Sequence, residues 1–337
     1  MSTIIRLNVK CFITGATGFI GNRLLEELLK NENEVHLLAR SPEKLEIPKN
    51  GVTVFKGDLF STDVLEKAIT GCDVVYHLAA YANLWSKDKT LAYKTNYTGT
   101  QNVLEAAFRN NIKKVVYTSS AATLPQSKKM EEVDETASLP DTYLTDYETT
   151  KRQAENLCME YFKKGLDVVI VNPPRLYGPG FLNKSNSVTI MIKKYLKGSW
   201  RFIPGDGSQL GSYVFIEDVI RGHIQAMKKG IPGKKYILGG ENVSYNDFFK
   251  ILSELTGKKR VMFHIPFSFM LGISKFELFM AETFGKPPLI TPPWVKRYLQ
   301  HRPLNSKKAI RELDYQITPL REGMLKTIAW LKTGLYE

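Results

Sequence analysis

Cysteine is scarce in this chain: Cys11, Cys72 and Cys158 are its only three among 337 residues, and they are odd in number and widely scattered. Neither a disulfide framework nor the paired spacing of a zinc site is available, so no metal is expected and a reducing, cytoplasmic setting fits. The opening residues MSTIIRLNVK hold no apolar core of signal-peptide length before the first strand-like segment. Long uncharged runs are missing too. The most apolar stretch, residues 265–284, is interrupted by Lys275, Glu277 and Glu282, which leaves no span of roughly eighteen residues for a transmembrane helix. There is no internal repeat, no low-complexity linker and no basic module interleaved with aromatics, so nucleic acid is not an expected partner. The net charge of +13 comes from Lys and Arg spread along the whole chain. A solvated basic surface accounts for it, and an anionic cofactor or a peripheral membrane contact are the other uses open to it.

What is present begins at residues 9–21, VKCFITGATGFIG. An apolar, β-prone run enters glycines at 15, 18 and 21, and an amphipathic helical pattern through Leu24, Leu25, Leu28 and Leu29 starts among them. Strand, tight turn and helix in that order leave unpaired N–H groups aimed at one point. A dinucleotide pyrophosphate is the usual occupant of such a place. The spacing is G-x-x-G-x-x-G rather than G-x-G-x-x-G.

Strand-like and helix-like segments then alternate: 34–39, 53–55, a helix at 62–69, 73–78, a helix at 96–109, 114–118, a helix at 146–163, and 167–171. Such alternation predicts an α/β fold with a doubly wound parallel sheet and ligands at the carboxyl ends of its strands. After Asn172 the chain turns to Pro/Gly-punctuated segments, PPRLYGPG and PGDGS. The division expected is a dinucleotide-binding domain at 1–172, to which 205–240 partly returns, and a smaller substrate-binding lobe from 173–204 and 241–337. The helices at 96–109 and 146–163 suit a two-fold homodimer interface as well as they suit packing on the sheet.

At the end of the second strand, the place of a carboxylate that would bind the adenosine ribose holds Ala39 and Arg40. Arg40 with Lys44 suits a 2′-phosphate, which favours NADP(H) and leaves NAD(H) open. Asp58 and Leu59 follow the third strand, and Leu78, Ala79 and Ala80 end the fourth, where small side chains let a cofactor lie on the sheet.

The chemistry is expected at Ser119, Ser120, Tyr147 and Lys151. Of all the tyrosines, only Tyr147 has a lysine four residues on, one helical turn away, so an ammonium can stand beside the phenol. A free phenol titrates near about 10, and a neighbouring cation brings it towards a useful range for acid–base work. Ser120, ending the fifth strand, would hold a substrate oxygen.

These residues together resemble the extended short-chain dehydrogenase/reductases. The pieces that match are TGATGFIG, GDL at 57–59, HLAA at 77–80, NYTGTQNVLEAA at 96–107, YTSSAATL at 117–124, YETTK, NPPRLYGPG and FIEDV at 215–219, together spread over nearly the whole chain. Within the family the chain is most similar to the dihydroflavonol-reductase-like branch, farnesol dehydrogenases and hopanoid-associated sugar epimerases included. The resemblance implies a Rossmann sheet. It carries over Ser120, Tyr147 and Lys151 as a catalytic triad. It also carries over Gly15, Thr17, Gly18, Phe19, Ile20, Gly21, Asp58, Leu59, Leu78, Ala79, Ala80, Pro173 and Leu176, with Tyr147 and Lys151, as cofactor contacts.

The same family hosts reductases, epimerases, dehydratases and decarboxylases, so the reaction has to be argued from the site. Sugar-nucleotide dehydratases of this type place an Asp–Glu pair where Ala122 and Thr123 stand here, and nucleotide-sugar epimerases place an arginine where Gly211 stands. Large apolar side chains are plentiful in the second lobe. Tyr81 and Trp85 are the expected substrate contacts, while ordinary core packing is the simpler account of Phe267, Phe269, Met270, Phe276, Phe279 and Met280. The reading is an NAD(P)H-dependent oxidoreductase acting on a hydrophobic ketone, aldehyde or alcohol. A sugar epimerase is the enzymatic alternative, and a redox-sensing scaffold the non-enzymatic one.

Overall fold

In the computed structural model, which describes residues 9–42, 50–182 and 186–334, a seven-stranded parallel sheet carries the first half of the chain. Its first motif is β1 (Lys10–Thr14), α1 (Phe19–Lys30), β2 (Glu34–Ala39) and β3 (Val52–Lys56). Then come α2 (Thr62–Ile69), β4 (Val74–His77), the short α3 (Leu91–Tyr93), a π-helical turn (Lys94–Thr98), α4 (Gly99–Arg109) and β5 (Lys114–Thr118). A 3₁₀ turn (Ala121–Thr123), α5 (Asp146–Lys163) and β6 (Val168–Asn172) complete this part. The pattern's single helix over 96–109 is thus broken by the π turn, the kind of bulge that re-aims one side chain. Asn96 lies there, buried, and its amide clamps the Tyr81 backbone from both sides, at 2.7 Å to N and 3.0 Å to O.

Beyond Asn172 lie β7 (Arg175–Tyr177), α6 (Ser187–Lys197), β8 (Phe202–Pro204), β9 (Leu210–Phe215), α7 (Ile216–Lys229) and β10 (Lys235–Ile237). The rest is β11 (Glu241–Ser244), α8 (Tyr245–Thr256), β12 (Phe263–Ile265), α9 (Phe267–Phe284), α10 (Pro292–Tyr298), α11 (Lys307–Leu313) and α12 (Leu320–Thr333). The main sheet runs β10-β6-β5-β4-β1-β2-β3, so the order reverses between β1 and β4. In open α/β sheets a ligand crevice opens at that reversal. β10 enters the sheet beside β6, while β9 pairs with β7 and β11 in a second sheet, and β8 pairs with β12 in a third.

Alternation along the strands sorts the core into two layers. Phe12, Val75, Val115 and Tyr117 face α2, α4 and α5, whereas Cys11, Ile13, Tyr76 and Val116 face the opposite way. The second layer continues without a break into Tyr213, Phe248, Met324 and Ile328 of the other lobe. The two halves therefore share one apolar interior.

The long aromatic helix departs from expectation. Of α9 only Ser274 and Ala281 are buried, and Phe269, Phe276 and Phe279 are 61%, 63% and 60% exposed. It packs mainly on α10, and most of its rings are left exposed. Apolar composition alone does not distinguish a core helix from one awaiting a partner.

Two histidines with no exposed surface, His77 and His223, tie strands to helices. The Nδ1 of His77 lies 2.6 Å from Thr14 Oγ1 and its Nε2 lies 2.9 Å from Thr100 Oγ1. His223 bridges Val219 O and Thr118 Oγ1. Burial pushes His77 down to about 3 and His223 to about 4 from an ordinary value of 6.5, so both are neutral in the fold. The unfolded chain takes up these protons first, and stability falls as pH drops below about 6.5 towards about 4. Thermal melting across that range should show the fall, with a shallower slope for His223→Gln.

Candidate functional site

Gly15 follows β1 with φ +81°, a left-handed conformation that suits glycine, and a Cβ there would lie 2.6 Å from Ala79 N at the end of β4. A Cβ on Gly21 would meet Gly15 O at 2.2 Å. The turn and the first turn of α1 can lie this close only because both positions lack side chains, and the result is a backbone cradle between β1 and β4. Together with the reversal of strand order, it fits the diphosphate of a dinucleotide.

The cradle is one end of a cleft of about 1610 Å³. Along it lie Gly15, Thr17, Gly18, Phe19, Ile20, Gly21, Arg40, Asp58, Leu59, Leu78, Ala79, Ala80, Pro173 and Leu176. Ser120, Tyr147, Lys151 and Tyr81 line the same cleft. Arg40 is exposed at its rim, and Lys44 lies outside the described residues. Asp58 spends one carboxylate oxygen on Phe60 N (2.9 Å) and Ser61 Oγ (3.0 Å). Trp85 is not among the residues lining this cleft; it lines a small neighbouring cavity with Tyr81, Leu144, Tyr147 and Trp294, and its carbonyl accepts from the Tyr81 hydroxyl.

α5 starts with a capping box: Thr145 accepts from Glu148 N, and the Glu148 side chain accepts from Thr145 N. That fixes where Tyr147 and Lys151 project. Lys151 is buried, donates to Thr118 O at 2.7 Å and sits 4.3 Å above the Tyr117 ring. Burial pushes its ammonium down to about 7, against the pull of Cys158 and Glu155. An ammonium has three donors, and with one on Thr118 O the others suit ribose hydroxyls at this end of the cleft. Burial also raises the Tyr147 phenol, while a hydrogen bond with Ser120 and the nearby Arg297 cation work the other way. Ser120 caps the 3₁₀ turn and accepts from Ala122 N.

Ser119, expected beside the chemistry, is committed elsewhere. Its hydroxyl donates 2.6 Å to Glu155, whose same oxygen accepts from Thr123 Oγ1 and Asn172 Nδ2. The other oxygen meets Arg152 and Lys235. Burial opposes the charge of Glu155, but Lys235 and these donors hold the carboxyl below its usual range.

Three arginines of the cleft were not singled out by sequence reasoning. Arg175 on β7 donates to Tyr213 Oη at 2.8 Å and stacks on Tyr213 and Tyr245. Its guanidinium covers Gly211, where a Cβ would fall 2.3 Å from Nη1. Gly211 on β9 thus makes room for an arginine from the neighbouring strand. Arg297 and Arg302 both pair with Glu148, so the second lobe puts a cation next to Tyr147. The one available signal was YLQHR, a Tyr–Arg pair at helical offset near the cleft-lining Trp294. Among the described residues no cluster of metal-binding type occurs, and no helix is long and apolar enough to cross a membrane.

Comparison with known proteins agrees with this geometry. Sterol demethylase protein B of Methylococcus capsulatus is 31% identical over 95% of this chain and 97% of its own length. A 4-hydroxy-2-methyl-3-oxo-4-farnesyl-3,4-dihydroquinoline-1-oxide ketoreductase of Stigmatella aurantiaca is 29% identical over 91% of this chain and 92% of its own. A crystal structure of UDP-glucuronic acid 4-epimerase from Bacillus cereus, in complex with UDP-glucuronic acid and NAD, superposes with a TM-score of 0.77. It is 26% identical, covering 96% of this chain and 99% of that one. Residues 11–239 match the NAD dependent epimerase/dehydratase family, and with its glycine cradle, reversed strand order and Tyr–Lys helix the chain belongs to that enzyme family.

Proposed function

We propose that this protein is an NADP(H)-preferring oxidoreductase that interconverts a hydrophobic ketone or aldehyde with its alcohol. The reading rests above all on the meeting of Ser120, Tyr147 and Lys151 in a cleft whose far walls are apolar, with Phe181, Met191, Trp200, Phe249, Met270 and Trp294 among them. The nicotinamide cofactor, when bound, supplies or accepts the hydride. Gly15, Gly18 and Gly21 hold its diphosphate, Arg40 its 2′-phosphate, and Lys151 its ribose. In reduction Ser120 orients the substrate oxygen and Tyr147 Oη gives it a proton. In oxidation Tyr147 Oη takes the proton back. Tyr81, held by Asn96, is the nearer wall for the substrate.

Nucleotide-sugar epimerisation is the second reading. Arg175 and Arg302 in the cleft suit a diphosphate, and the Bacillus cereus epimerase has the same fold over nearly the full chain. The two readings part on net turnover: a reductase consumes added NADPH in the presence of a carbonyl, whereas an epimerase returns its hydride within each cycle.

Three outcomes are expected. Tyr147→Phe should lower kcat by about 10²-fold or more while the cofactor dissociation constant stays within about twofold; near-normal turnover would remove Tyr147 from the chemistry. Because burial raises the phenol, carbonyl reduction should hold through neutral pH while alcohol oxidation, which needs the phenolate, climbs with pH. Profiles of kcat/KM in both directions read this. The KM for NADPH should lie well below that for NADH, and Arg40→Ser should raise the former about tenfold and leave the latter nearly unchanged; a clear NADH preference in the parent protein overturns the cofactor assignment.

A further inference from the structure

The exposed face of α9 is an apolar feature of the molecule that the chemistry does not use. Phe267, Phe269, Ile273, Phe276, Phe279 and Phe284 all stand exposed on it, and Leu289 just beyond is 83% exposed. Phe263 of β12, which leads through Pro266 into α9, its β8 partner Phe202 and the preceding Val261 are exposed as well, so the strand pair entering the helix is apolar too. A monomer in water rarely presents such a patch, which marks an interface with protein or lipid.

Charge identifies the occupant. Residues 257–290 carry Lys258, Lys259, Arg260, Lys275 and Lys286 against Glu277 and Glu282 alone, five cations to two carboxylates. Glu282 is further offset by Lys89, 3.9 Å away. The whole chain is +13. Bulky rings standing out of a helix among lysines suit the boundary between headgroups and acyl chains of an anionic bilayer. With Lys275, Glu277 and Glu282 in its middle, α9 is not a spanning helix, and it lies along the surface instead.

We propose that α9 and the β8–β12 ribbon dock this protein on anionic lipid membranes, with the ring side chains buried in the interface. The same elements border the cleft: Phe202, Ile265, Met270 and Ile290 line it, so docking sets the mouth of the cleft against the lipid. This second aspect rests on the proposed hydrophobic substrate and gives it a route that avoids water.

The test is co-sedimentation of the full-length protein with vesicles of phosphatidylcholine, either alone or with about 30 mol% phosphatidylglycerol to give the surface negative charge. Binding is expected to the anionic vesicles, to weaken with salt, and to fall at least tenfold in Phe269→Ser/Phe276→Ser/Phe279→Ser. These positions are exposed, so melting temperature and NADPH binding should match the parent protein. Absence of binding to anionic vesicles overturns the proposal. So does a vesicle-free dimer by sedimentation equilibrium that the triple variant converts to monomer, since a second copy then covers the face. Turnover separates the two layers of the argument. If the variant loses activity on a long-chain alcohol in vesicles but keeps it on a short soluble one, docking and access both stand. If neither alcohol is turned over by the parent protein while vesicle binding persists, the oxidoreductase reading fails and docking does not.

Discussion

The pinning of α5 to the carboxyl end of β5 is the constraint on which the site depends. Two side chains one helical turn apart do it, Lys151 on the Thr118 carbonyl and Glu155 on the Ser119 hydroxyl. One brings a positive charge and the other a negative one to the same strand end, each without water around it. Neither charge is at ease alone: burial drags the ammonium down, and the carboxylate keeps its charge only through Lys235 and a set of hydroxyl and amide donors. With the helix held in that register Tyr147 can face the cleft and nowhere else. A slip of one residue along α5 would turn the phenol about 100° around the helix axis, away from Ser120.

The two ends of the cleft are built by different physics. The end between β1 and β4 is backbone, made accessible by the missing side chains of Gly15 and Gly21 and by Ala79 opposite. The far end is side chain: aromatic rings with Arg175, Arg297 and Arg302 set among them. A fully apolar wall would bind lipophilic molecules without orienting them, whereas fixed guanidiniums favour one end of a ligand over the other.

Much of this was legible in the order of residues because it is local. A glycine turn between a strand and a helix, a tyrosine and a lysine one turn apart, and alternating periods of two and 3.6 are all encoded within a few positions. The parallel sheet followed from the alternation, and the break of strand order at β1 and β4 put the glycine turn where a ligand belongs. What escaped depends on contacts between distant segments. Reading position 211 alone suggested a site without its arginine, since nothing in the run of residues says that Arg175 from the next strand lies over that glycine. Arg297 and Arg302 come from a stretch with little periodic signal, and their relation to Glu148 exists only in the fold. Trp85 fell in the right loop but lines the small neighbouring cavity. For α9, the aromatic composition registered a need to leave water without saying where the rings would go.

The return of the chain at β10 has a consequence for the order in which the protein is made. Glu155, buried among donors, lacks its strongest cation until Lys235 emerges from the ribosome, 80 residues later. The seventh strand and the ion pair arrive together, after β7, β8 and β9 have been synthesised. Until then the carboxylate of Glu155 is short of its main counter-charge, which a buried anion needs. The balance of charge at this helix is thereby set by a residue made only after the chain has left the main sheet and come back to it.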